Sequence, residues 1–168
     1  MKRSGKKASA PAKARTRANG ASVNQVGIRS ILVPTDFSHY SEKALEYALP
    51  LAKQFGARLT LLHVIESIAT PDFEGAFPLA LETARAKELC QSALKALSEK
   101  FGNEPELIEK RVVRQGRAFD EIAKAARELK IDLIVIATHG YTGLKHTFMG
   151  STAERVVRHA PCSVLVVR

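Results

Sequence analysis

The sequence predicts an α/β fold: a five-stranded parallel doubly wound (Rossmann-like) sheet with helices on both faces. Three observations carry this. Short apolar runs bounded by breakers, of which residues 133–137 (Leu-Ile-Val-Ile-Ala) are the plainest, have the composition of strands covered on both sides. Between them lie segments whose apolar residues recur every three or four positions, the period of a half-buried helix. The two kinds alternate as βαβαβαβαβ, and right-handed crossovers turn that alternation into a parallel sheet.

Each element has its own signals. Residues 30–35 form the first strand, with Pro34 at its end, where a missing N–H costs least. Ser38 is a good cap for a helix carrying Ala44, Leu45, Ala48, Leu49, Ala52 and Phe55 on one face, with Gly56 as its stop and Pro50 expected to bend it. Residues 58–65 form the second strand, and residues 66–78 a long connection broken by Pro71, Gly75 and Pro78. A long helix over residues 79–101 ends at Gly102-Asn103. Residues 107–114 make a third strand, polar at both ends and so suited to an edge, and residues 116–129 a short helix. After the fourth strand, residues 152–159 form the last helix, stopped before Pro161, and residues 163–168 the last strand. The strand order 3-2-1-4-5 is preferred over the flavodoxin-like 2-1-3-4-5, because it puts the polar third strand at an edge. It also sets Pro34-Thr35-Asp36 across from Ala137-Thr138-His139-Gly140 where the strand order reverses, the place at which such sheets bind ligands.

The formal net charge of +9 is unevenly spread. Lys2, Arg3, Lys6, Lys7, Lys13, Arg15 and Arg17 fall in residues 1–27 with no acid among them, and removing those seven from +9 leaves the body, residues 28–168, at +2. The tail has almost no large apolar side chain, so it is expected to be a disordered basic arm with at most weak affinity for anionic partners. The two cysteines, Cys90 and Cys162, have no zinc or redox spacing. Five scattered histidines show no ligand spacing. No apolar run reaches the roughly 20 residues of a membrane span, so the expectation is a cytoplasmic protein with no membrane span and no metal site of its own.

The stretch after the fourth strand carries the chemistry. Gly140 and Gly143 open a loop that closes at Gly150-Ser151, and a helix follows, with Ser151 and Glu154 in the spacing of a capping box. A strand that feeds a glycine-bearing loop and then a helix amino end offers backbone N–H groups and a positive dipole to an anion, phosphate above all. The spacing is neither that of the Walker loop nor that of the Rossmann fingerprint. It resembles the ATP-binding signature of universal stress proteins, G-x-x-G, nine residues, then G-[ST]. Gly140, residues 141–149 and Gly150-Ser151 match it, and Ala137 stands where the first glycine would be. Ile31-Leu-Val-Pro-Thr-Asp-Phe-Ser38, Leu62-His-Val-Ile65 and the block from Ala153 to Val167 are similar to the same family, so the resemblance covers residues 29–168.

That resemblance implies an ATP-binding regulatory module, with Mg²⁺ alongside the nucleotide and little or no catalysis. It implies that Asp36 lies near the ribose or the phosphates, with Pro34 and Thr35 shaping the floor. Val64 would give its backbone to adenine, and Ala137 and Gly140 would pass close to the sugar and phosphates. Gly150, Ser151 and Thr152 would cradle phosphates. His139 reads as a hydrogen-bonder that orders the loop, and ATP would order residues 141–149 into a surface that a partner senses. A homodimer through Val164, Leu165, Val166 and Val167 of the last strand is implied as well. Three other readings stay open at this level: a slow ATPase or phosphoryl or adenylyl transferase, a structural stress protein without nucleotide, and, from the tail alone, nucleic-acid binding.

Deleting residues 1–27 is expected to leave the melting temperature of the body unchanged and to lower any affinity for DNA or anionic lipid. Thermal unfolding and vesicle or DNA titration of the two lengths check this; a large loss of cooperativity on deletion would show that the tail packs on the body.

Overall fold

The computed structural model describes residues 27–66, 76–101, 106–139 and 149–168. The basic tail up to residue 26, Gly140 and residues 141–148 lie outside them. The elements run β1 (Ser30–Pro34), α1 (His39–Phe55), β2 (Arg58–Ile65), α2 (Ala76–Lys100), β3 (Ile108–Gln115), α3 (Ala118–Glu128), β4 (Leu133–Ala137), α4 (Ser151–His159) and β5 (Ser163–Val167). All pairings are parallel, in the order β3-β2-β1-β4-β5. Both strand order and the place of β3 at an edge match the expectation.

The central strands are mostly apolar because both of their faces are covered. Ile31, Val33, Leu59, Leu61 and Val135 pack with Ala44, Leu45, Ala48 and Ala52 of α1 and Leu94 and Leu97 of α2. On the other face Leu32, Leu62, Ile134 and Ile136 meet Ile122, Ala125 and Ala126 of α3 and Ala153 and Val156 of α4. Successive strand residues alternate between these two cores, as the period of two requires.

The ends of α1, α2 and α3 follow local chemistry, with two departures. Ser38 caps α1 by accepting from Ser41 N, and Gly56 ends it at φ 64, with Ala57 N donating to Ala52 O at 2.8 Å. The helix continues through Pro50. Pro78 does not break the chain as expected: α2 begins at Ala76, so Pro78 falls in the first turn, where its N–H would have had no intrahelical partner. The second departure is at α3, which starts at Ala118 and ends without glycine; Lys130 takes the left-handed conformation itself (φ 52) while Ile131 N closes on Ala126 O.

Two features of β1 fix how the sheet opens. At its start, Asp132 Oδ2 accepts from Arg29 N, Ser30 N and Ser30 Oγ at 2.8, 2.9 and 3.0 Å, tying β1 to β4. At its end, pairing with β4 stops at Leu32↔Ile134. Arg29 and Thr35 bond toward β2, through Arg58 N→Arg29 O and Thr35 N→Leu62 O. The even-numbered residues of β1 therefore face β4, and the next one after Leu32 is Pro34, which has no N–H to give. The two strands part there.

The Arg29 amide, with the Ser30 amide and hydroxyl, holds the Asp132 carboxyl below the usual carboxylate range. A folded value below the unfolded one means stabilisation that is present above the unfolded value and lost as pH falls through the folded one. Wild-type protein is expected to lose stability below about pH 4. Asp132→Asn should be less stable at pH 7 and show a shallower acid limb, as read by urea unfolding between pH 7 and 3.

Candidate functional site

Where β1 parts from its neighbours, the carboxyl ends of the strands enclose a cavity of about 630 Å³. That is within the range of roughly 300–1,000 Å³ for small-molecule sites. Its walls come from the ends of β1, β2 and β4, from α2 and α3, and from the amino end of α4. Pro34, Thr35, Asp36, Val64, Ala137, Gly150, Ser151 and Thr152, all singled out from the sequence, line it together. Gly140 lies outside the described residues.

The β1–α1 turn is held by its own polar groups. Thr35 is buried; its Oγ1 lies 3.0 Å from Ser41 Oγ and accepts from Phe37 N at 3.0 Å. Phe37 has φ 62, a conformation costly for a bulky side chain. Asp36 does not cap α1 itself. Its Oδ1 accepts from Ser38 N and Ser38 Oγ at 3.1 and 2.6 Å, and so steadies the residue that does. Asp36 is exposed on the cavity wall.

Across the cleft, Ala137 is the last residue of β4, paired with Val167 and 8 % exposed. It is not among the residues of positive φ. A methyl therefore sits there without backbone strain, and glycine is not required by torsion. Thr138 Oγ1 lies 2.9 Å from His139 Nδ1, and the Tyr40 ring lies 5.7 Å from the His139 ring; the loop that His139 is expected to order lies outside the described residues.

Gly150 is required for space. Its φ of −59° is open to any residue, but a Cβ there would lie 2.9 Å from Thr138 O, and its N–H donates to that oxygen at 2.7 Å. The capping box is not formed. Gly150 is the N-cap, so Ser151 is already the first helical residue and its hydroxyl makes no cap bond; Glu154 instead accepts from Arg158 at 2.7 Å. With the Gly150 N–H spent, the amides of Ser151, Thr152 and Ala153 are the ones left without intrahelical acceptors at the end of the α4 dipole. All three residues line the cavity.

The structure adds residues that the motif did not single out. His63 lines the cavity with Nδ1 2.8 Å from Thr35 O, and its ring stacks on Phe37 with centroids 4.5 Å apart. Glu66 lines it too, with Oε1 accepting from Ala118 N at 3.1 Å, so the amino end of α3 is occupied by a carboxylate. Strand alternation from Leu59 and Leu61 could have placed His63 on the α1 face; nothing local marks Glu66, which works across a gap of 52 residues. Among the described residues the lining holds two carboxylates and no lysine or arginine.

Fold and cleft together define a doubly wound α/β protein with a ligand-sized cavity at its switch point. The chain belongs to the universal stress protein family, whose model matches residues 27–168. It is 36 % identical over 143 residues to a universal stress protein of Methanocaldococcus jannaschii, covering 83 % of this chain and 82 % of that one. Among solved structures it is similar to the universal stress protein UspA from Lactobacillus plantarum, at a TM-score of 0.67 and 28 % identity, covering 84 % of this chain and 98 % of that one. The universal stress protein of Archaeoglobus fulgidus solved in complex with dAMP has the same fold at a TM-score of 0.56 and 21 % identity, with 84 % and 99 % covered.

Proposed function

We propose that the cavity is an adenine-nucleotide site, that ATP with Mg²⁺ is its ligand, and that the protein is a regulatory module with little or no catalysis. One observation carries this: the first three residues of α4, Ser151, Thr152 and Ala153, whose amides no side chain among the described residues caps, line one cavity with the end of β2 at Val64. Phosphates suit the first and a base edge the second. Pro34 and Thr35 floor the space between, and Ala137 and Gly140 flank the sugar and phosphates. In this reading Asp36, exposed on the cavity wall, meets the ribose hydroxyls or a divalent cation carried by the phosphates. The lining itself supports the Mg²⁺, since its described side chains bring negative charge and no lysine or arginine to a polyanion. Lys145 and His146 belong to the loop outside the described residues. The Archaeoglobus protein was solved with dAMP, but the likeness to it is one of fold; the case here rests on this chain's own residues. The sequence has no Walker lysine, kinase-type catalytic loop or paired carboxylates, which favours sensing over turnover. No helix among the described residues is long and apolar enough to cross a membrane, and a cytoplasmic location is part of the same reading.

Calorimetry with Mg²⁺ and ATP tests the site. Wild type is expected to bind, and Ala137→Gly to differ by no more than about twofold, because Ala137 is not in the left-handed region. Gly150→Val should abolish binding, as its side chain would be driven into Thr138 O and the phosphate space. Silence from wild type and Ala137→Gly alike at millimolar ATP would end the nucleotide reading.

The same proposal includes a homodimer through β5. This strand is an edge of the sheet, Val164 and Val166 pack inward on the α4 face, and Leu165 is 37 % exposed on the other. A flat apolar edge invites pairing with a second copy. Val166→Lys is expected to give monomers or insoluble protein in light scattering. Soluble dimers of unchanged stability would place the interface elsewhere.

A further inference from the structure

In a parallel sheet the residues of a strand bond alternately to the neighbours on either side. In β2 the even-numbered residues face β1, as Arg58 N→Arg29 O and Thr35 N→Leu62 O show, both at 2.8 Å. The odd-numbered ones face β3, as Leu59 N→Leu107 O and Gly116 N→Ile65 O show. Val64 is next in the series facing β1. By the register that pairs Pro34 with Leu62, its acceptor would be Thr35 O. That rung is not made. Thr35 O pairs instead with His63 Nδ1 at 2.8 Å. A carbonyl oxygen only accepts, so Nδ1 carries the proton.

The direction of that bond matters. His63 follows Leu59 and Leu61, whose side chains lie in the core under α1 and α2, while Val64 packs on the opposite core. A carbonyl bonded to the His63 ring is turned out of the plane of the sheet, toward α1 and away from Val64. The turn that follows keeps it there: Phe37 stacks on the same ring, holds φ 62, and donates its N–H to Thr35 Oγ1. A buried carbonyl needs a partner, and His63 supplies one that the ladder would otherwise provide.

We infer that His63 is a positioning residue for the base: by drawing Thr35 C=O out of the sheet it keeps the β1–β2 ladder from closing one rung further, and leaves the Val64 N–H and C=O open to the edge of a nucleobase. The base-binding half of this rests on the nucleotide reading above; the open rung does not.

The variants are His63→Phe, which keeps a ring against Phe37 and loses the donor, and His63→Asn, whose amide nitrogen can stand near the Nδ1 position. Hydrogen exchange of the Val64 amide is read by NMR in ligand-free full-length protein, and affinities for Mg²⁺–ATP and for Mg²⁺–tripolyphosphate by calorimetry. In wild type and His63→Asn the Val64 amide is expected to exchange as an open group. In His63→Phe it should be protected by about tenfold or more, as the rung closes. ATP affinity should fall about tenfold in His63→Phe, the scale of one lost hydrogen bond, and return to within about threefold in His63→Asn, while tripolyphosphate affinity stays constant throughout. If His63→Phe does not fold, His63→Gln, whose amide reaches the Nε2 position, replaces it with the same expectations. Equal Val64 protection in wild type and variant overturns the inference, as does parallel weakening of ATP and tripolyphosphate. Should wild type bind no ATP, the nucleotide reading falls, and the exchange comparison alone still decides what His63 does to the ladder.

Discussion

A backbone group inside a folded protein has to be bonded to something, and this makes a cleft in the middle of a sheet a difficult thing to build. Neighbouring strands pair for as long as they can. Here the pairing of β1 with β4 runs out at Leu32↔Ile134, and the residue that should continue it is Pro34. On the β2 side the ladder extends one bond further, to Thr35 N→Leu62 O, and then meets the His63 ring. The central strand is thus released on both sides within two residues. The middle of the cavity depends on that release: the turn through Asp36, the spread ends of β2 and β4, and the room for α4 to begin against Thr138.

The glycine and the alanine of the motif divide the work differently from what their types suggest. Glycines in such loops are often explained by torsion. Gly150 has an ordinary φ, and what it supplies is nearness, its N–H on Thr138 O with no room for a Cβ between the two chains. Ala137 stands where the family's signature has glycine, in a regular strand paired with Val167. The methyl has a place there because β4 is still extended at that residue. The same tight closure at Gly150 starts the helix one residue early, and this leaves the Ser151 hydroxyl without the capping bond that the S-x-x-E spacing suggested.

Most of the fold was legible because its signals are local and repeated. The runs of Ile31–Val33, Leu59–Leu62 and Leu133–Ala137 can only be strands covered on both faces, and the alternation with helical periods leaves few topologies. Ser38 and Gly56 act where their chemistry says they should. What was not legible depends on distance in space. Pro78 looks like a breaker until one knows that α2 starts at Ala76, two residues before it. Lys130 adopts a left-handed backbone that no rule assigns to lysine, because the closure of Ile131 on Ala126 requires it. His63 and Glu66 join segments 28 and 52 residues apart, and no spacing within either segment points to the other.

Glu66 has a wider effect than the bond it makes. Two helices, α3 and α4, aim their amino ends at the same cavity, and by dipole alone either could receive an anion. Glu66 Oε1 already occupies the first, on Ala118 N, while no side chain among the described residues caps the second. The cavity therefore has a sense of direction. A negatively charged group is turned away from the β2–α3 end by a fixed carboxylate and drawn to the β4–α4 end by unspent amides, so an elongated ligand that is neutral at one tip and anionic at the other has a single favourable way to lie.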